Sequence, residues 1–137
     1  MAVTLEQPTR ARLIGPEGRE RALPLTLRYA ADDPLAVQIV FPSEASLDGA
    51  EVTWIFGRQL LEEGLRAPSG GGDVHIWPCG RARTVLEFRA PQGLALVQCD
   101  RAVLRRFLLR TYEVVRAGRE IAGLDMDRDL ARLFGGV

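Results

Sequence analysis

The 137-residue chain contains no lysine; all eighteen of its basic residues are arginine. A Walker A loop needs its Lys on the β/γ-phosphates and Schiff-base catalysis needs a Lys amine, so both chemistries are excluded. The one histidine, His75, excludes zinc-protease sites built on a pair of them. Cys79 and Cys99 fall short of the four Cys/His ligands of a structural zinc site and read as free, partly buried thiols. Eighteen acidic residues cancel the arginines, so there is no basic stripe of the kind that drives nonspecific nucleic-acid binding. No apolar run approaches the roughly 18 residues that span a bilayer, and the first residues show no basic-then-apolar leader pattern. The expectation is a cytoplasmic protein without membrane insertion.

What is present suits one α+β domain over 1–137, 47% hydrophobic and large enough to bury a core. "RALPLTLRY" alternates Leu23, Leu25, Leu27 and Tyr29 against Ala22, Pro24, Thr26 and Arg28, a half-buried strand with an edge or bulge at Pro24. "LAVQIVF" sets Leu35, Val37, Ile39 and Phe41 on one face, and "EVTWIF" sets Val52, Trp54 and Phe56 together. "DVHIW", "RTVLEFR" and "GLALVQC" follow, the last with Leu94 and Leu96 on one face, and "APQG" reads as the hairpin turn between the last two. "RARLI" is a weaker opening strand. Some seven short strands with regular turn signals predict an antiparallel sandwich or barrel. The period then changes. "DRAVLRRFLLRTYEVV" predicts an amphipathic helix with Asp100 as its N-cap and Gly118 past its end, and "DMDRDLARLF" predicts a short second helix capped by Asp125 and docked by Leu130, Leu133 and Phe134.

Candidate chemistry is sparse. Asp125, Asp127 and Asp129 resemble the opening of a calcium loop, but the continuation fails and helix N-terminal charge is the better reading. On one strand the even offset puts His75 and Cys79 on the same face, although Pro78 intervenes and could break that strand. Glu62 and Glu63 read as a solvated helical turn. Trp54, Trp77 and Phe88 with scattered arginines could form stacking platforms for single-stranded nucleic acid, the alternative reading. Arg101, Arg105 and Arg116 on the main helix offer an interaction surface, with Arg106 and Arg110 at its flanks. No catalytic, cofactor or metal site emerges.

The stretch "VTWIFGRQLLEEGLRAPSGGGDVHIWP" is more specific. Its three consecutive glycines lack the lysine of a phosphate loop and read as a turn feeding "DVHIWP". With Phe56, Arg58, Leu60, Leu61 and Gly64 before them and Gly72, Asp73, Trp77 and Pro78 after, the stretch resembles the signature region of the SsgA-like proteins, sporulation and cell-division regulators of actinomycetes. The likeness continues through "TVLEFRAPQGLALVQCDRAVLRRFLLRTYEVVRAGRE" and "LDMDRDLARL". It implies two antiparallel sheets forming a bell- or barrel-like Whirly-type fold with a main C-terminal helix, assembled as a homotrimer. It also implies a non-enzymatic role at the septum through cell-division proteins such as FtsZ or other family members.

Overall fold

The computed structural model describes residues 3–45 and 49–120, and the predicted second helix with Asp125, Asp127 and Asp129 lies outside these residues. Seven strands run in the order β1 (Thr4–Ile14), β2 (Glu20–Ala30), β3 (Ala36–Phe41), β4 (Val52–Gly57), β5 (Val74–Cys79), β6 (Arg83–Ala90) and β7 (Gly93–Asp100). Helix α1 (Arg58–Gly64) sits between β4 and β5, and α2 (Arg101–Val114) follows β7. All neighbours pair antiparallel, in the spatial order β4-β3-β2-β1-β7-β6-β5.

The two sheets expected from the sequence are hydrogen-bonded into one. Its two lobes meet at a short seam, where only Arg12–Ile14 of β1 pair with Leu96–Gln98 of β7. A seam this short lets the sheet bend sharply. Strand β4 ends one side of the sheet and β6 stands next to the other end, yet the Trp54 and Phe88 rings lie 5.1 Å apart and the Phe41 and Phe88 rings 5.4 Å apart. That contact requires the sheet to curl on itself, and the result is half a barrel. The inner face carries Leu23, Leu25, Leu27, Tyr29, Val37, Ile39, Ile76, Leu86 and Val97, all buried in one core with Leu104, Phe107 and Leu108 of α2.

Local departures from the sequence reading have identifiable causes. β1 is twice the expected strand because its inward positions Gln7 and Thr9 are polar and hide the alternation. Gln7 faces in because its amide donates to the Val103 carbonyl of α2 at 3.5 Å, while its oxygen accepts from Arg110 at 3.2 Å. Leu35 is exposed, since it precedes β3 in the turn after Pro34. In β7 Leu94 and Leu96 share a face as expected, and it is the outer one; the inward residues are Ala95, Val97 and Cys99. Pro78 does not break β5: the strand is at the sheet's end, and beyond the pairing of Ser69 with Ile76 no described backbone lies along its outer side at Pro78 to miss a donor. Pro24 obeys the same rule inside the sheet, because β3 pairs only with Thr26–Arg28 and leaves β2 an edge at Pro24. Asp100 occupies the N-cap position of α2 but makes no capping bond; its carboxylate pairs with Arg83 at 3.4 Å. Helix α2 stops at Val114, earlier than Gly118 suggests.

Helix α1 lies so close to β5 that a Cβ on Gly64 would meet the Ile76 side chain at 2.4 Å. Ile76 is fully buried and cannot move aside. In the glycine run only Gly70 is constrained, with φ of 124° and a hypothetical Cβ 2.4 Å from the Val74 carbonyl; Gly71 and Gly72 have open space. Gly64→Ala is therefore expected to cost about 1–3 kcal/mol or more through overpacking, against near-zero for Gly71→Ala, read by urea unfolding. Equal midpoints for the two variants would refute the close-approach role.

Candidate functional site

The signature stretch builds its own structural centre. At Gly57, extended at φ −65° and ψ 138°, the chain leaves β4 and enters α1 with Arg58 as the first helical residue. This turn points the Arg58 side chain into the protein, where it is 2% exposed and the largest fully buried side chain among the described residues. Its Nη1 donates to the Tyr29 hydroxyl at 3.1 Å and to the carbonyls of Thr111 and Val115 at 3.1 and 2.7 Å. Its Nη2 meets the Glu120 carboxylate at 2.7 Å. The guanidinium stacks on the Tyr112 ring at 4.1 Å and lies 5.2 Å from the Tyr29 ring.

Each contact answers the cost of burying a charge. The Thr111 and Val115 carbonyls belong to the C-terminal end of α2, where the helix dipole is negative and a cation is favoured. The planar fork reaches several acceptors at once, which a lysine ammonium cannot do in the same geometry. Glu120 is held below the usual carboxylate range, first by its own backbone N–H and then by Arg58. Burial pushes the Tyr29 hydroxyl up, with Arg58 opposing, and burial followed by Glu62 pushes up Tyr112. The sequence singled out Arg58 but missed Tyr29, Tyr112 and Glu120. Tyr29 reads as one more apolar position in an alternating strand, and Glu120 carries no local signal.

The other signature residues divide by role. Phe56 and Leu61 are core, Leu60 packs against it, and Gly64 admits β5. Asp73 and Gly72 are exposed, and the Asp73 carbonyl accepts the Arg89 N–H at 2.8 Å. Trp77 and Pro78 are half-buried on β5, and Ser69 exchanges two 2.9 Å backbone bonds with Ile76, closing the glycine loop onto that edge. A shallow outer cavity of about 370 Å³ lies there between Ser69, His75, Trp77, Glu87 and Arg89.

The candidate nucleophile pair is not assembled. His75 Nδ1 bonds Glu87 at 3.0 Å, which Arg89 also contacts at 2.8 Å, while Cys79 Sγ is met by Gln98 at 3.9 Å. Cys99 is buried and its thiol is pushed up to about 12 by burial and then by Asp100, so it holds its proton and packs as a small apolar group. Glu62 is half-buried beside Tyr112, whereas Glu63 is exposed and accepts from Gln59 at 3.4 Å. The three aromatics proposed as stacking platforms share no surface: Trp54 and Phe88 pack against each other at a tilt inside the half-barrel, and Trp77 faces out. The arginines of α2 separate likewise. Arg101 donates to the Leu65 carbonyl at 3.4 Å and ties α2 to the end of α1, Arg105 is exposed one turn on, and Arg116 is exposed beyond the helix.

One further cavity was not foreseen. At the open mouth of the half-barrel, about 440 Å³ is bounded by Leu13, Phe41, Val52, Trp54, Phe88 and the Gln92–Ala95 turn, with no charged side chain among the described residues of its lining. Its walls come from strands far apart in sequence.

The comparisons agree with the geometry. Residues 23–120 match the family described as Streptomyces sporulation and cell division protein, SsgA. The chain is 43% identical over 136 residues to the sporulation-specific cell division protein SsgB of Salinispora tropica, covering 97% of this chain and 94% of that protein. It is 35% identical to SsgB of Streptomyces coelicolor, with 98% of each covered. A solved SsgA-like sporulation-specific cell division protein from Thermobifida fusca superposes with a TM-score of 0.81 at 34% identity, covering 96% of both chains. A solved SsgB structure, from work on mutations that correlate to longitudinal cell division during sporulation of Streptomyces coelicolor, gives a TM-score of 0.80 at 31% identity over 90% of this chain and 98% of that one.

Breaking a buried ion pair from one side typically costs about 3–5 kcal/mol, so Arg58→Ala is expected to remove a large part of a stability that for such domains totals roughly 5–15 kcal/mol. Chemical denaturation measures it, and a loss under about 1 kcal/mol would mean that Arg58 is not the tie. The pH dependence has a definite sign. Because the folded-state pKa of Glu120 lies below its ordinary 4.5, its contribution is complete above that value and fades as pH falls through the folded one. Glu120→Gln should therefore flatten the acid limb of the stability curve and lower the plateau at neutral pH.

Proposed function

The chain belongs to the SsgA family of sporulation and cell-division proteins, and from that membership we propose that it is a non-enzymatic regulator of sporulation-specific septum and cell-wall formation. It acts by presenting surfaces to division proteins, of which FtsZ and other family members are the first candidates. The observation that carries this reading is the 43% identity to a sporulation-specific cell division protein along 97% of the chain. The site geometry supports it, because the first half of the signature stretch holds the fold together. Arg58, Leu61 and Gly64 are buried, which leaves outward surfaces to make contacts.

The curled sheet with a helix packed inside is read as a Whirly-type arrangement, and three copies are proposed to assemble. A trimer presents each weak contact three times and raises its effective concentration where partners gather. Arg105 and Arg116 are free to serve as contacts, whereas Arg101 is committed to the Leu65 carbonyl. Among the described residues no helix is long and apolar enough to cross a membrane, so concentration at the septum would rest on protein contacts.

A fluorescent fusion in sporulating filaments is expected to gather at septa; signal spread evenly along the filament throughout sporulation would count decisively against the proposal. Analytical ultracentrifugation of the purified protein is expected to show three times the chain mass of 15.1 kDa, and a monomer at all concentrations would rule out the trimer.

A further inference from the structure

The two ends of the sheet are finished differently. On β5, Pro78 removes a donor and Ser69 bonds Ile76 in both directions, so that edge is largely closed. Strand β4 reads "VTWIFG", with neither proline nor charge, and among the described residues no backbone pairs with its outer side. Natural sheets usually blunt an edge with such residues or cover it. Here Val52 and Ile55 of β4, and Leu35 beside its far end, are among the few large apolar side chains exposed on the described surface. The inner face of β4 contributes Val52 and Trp54 to the mouth cavity, so this edge adjoins a hollow of about 440 Å³ whose described lining is mainly apolar and without charge.

We propose that β4 accepts an extended segment of a partner protein as an added strand, which lowers a large uncharged apolar side chain into the mouth cavity. The proposal rests on reading the chain as an interaction protein. Each part of the surface selects for this occupant. Outward N–H and C=O groups of an edge strand are satisfied by another backbone in strand conformation, which a lipid tail or a small hydrocarbon does not offer. The described lining of the cavity is mainly apolar and carries no charge, which favours an apolar side chain over an acidic or basic one, whose desolvation these residues would not compensate. The period of two along a strand lets alternate residues of the segment face the cavity while those between face solvent. A second copy of this chain is a poor occupant. Paired through its own β4, it would bring Trp54 and Phe56 to the edge, and both are already packed against Phe88 in its own core.

The test is a titration of ¹⁵N-labelled protein with a short synthetic peptide that alternates phenylalanine with threonine between solubilising ends. The expected result is amide shifts gathered in Val52–Gly57 and around Phe41, Phe88 and Leu94. Phe→Ala peptides, or a Val52→Lys protein at this exposed rim position, should weaken binding by about tenfold or more, and a peptide N-methylated at alternate amides should lose it. An unchanged denaturation midpoint shows that Val52→Lys still folds. Equal binding by the N-methylated peptide overturns the added strand, and so does an absence of shifts in β4 at millimolar peptide. Concentration-dependent shifts of β4 without any peptide would assign the edge to self-association and overturn the partner segment. None of these outcomes alters where the protein gathers in filaments, so failure here is separable from failure of the division reading.

Discussion

A buried guanidinium organises this protein. Arg58 stands where β4 becomes α1, and its donors reach β2 through Tyr29, the end of α2 through the Thr111 and Val115 carbonyls, and the chain beyond α2 through Glu120. Sheet, both helices and the approach to the C-terminal segment thus share one charge. Such a group is stable in the interior only if every acceptor is in place, because a partly satisfied buried cation costs more than an apolar residue would. The interaction is consequently less a source of net stability than a condition on the arrangement of everything it touches.

The second constraint is the short seam between β1 and β7. Three paired residues on either side join a four-stranded lobe to a three-stranded one, so the sheet bends there and lets Trp54 and Phe56 of β4 meet Phe88 of β6. Helix α2 fills one part of the inner face with Leu104, Phe107 and Leu108, and α1 reaches β5 because Gly64 has no Cβ. Among the described residues, the opposite end is an apolar mouth bounded by an edge with which no further strand pairs. Function, on the proposal made here, uses the part of the half-barrel that the helices do not fill.

Much of this was legible in the chain, and the exceptions are instructive. Alternation found β2 and β3 because Leu23, Leu25, Leu27 and Tyr29, and Val37, Ile39 and Phe41, place a regular apolar row inward. It failed for β1, whose inward Gln7 bonds a helix that only the fold brings near; in β7 it put Leu94 and Leu96 on one face but left open which face is buried, and the fold turns the leucines out and Val97 and Cys99 into the core. Among candidate site residues, Arg58 stood out by its company in the signature stretch. Arg101 read as a free surface cation and proved to be tied to Leu65, since a carbonyl partner 36 residues away leaves no mark on local pattern.

By itself the sequence determined the strand and helix periods, the hairpin at Pro91 and Gln92, the exclusion of lysine chemistry and the family. These depend on residue type and on neighbours a few positions apart. Only the tertiary structure decided that two lobes form one curled sheet, that Arg58 is buried among Tyr29, Tyr112 and Glu120, and that β4 and the β6–β7 turn bound a mouth lined mainly by apolar residues. The physical reason is the same for all three: they are set by contacts between segments distant in the chain, whose meeting depends on how sharply a seam of three residue pairs lets the sheet bend.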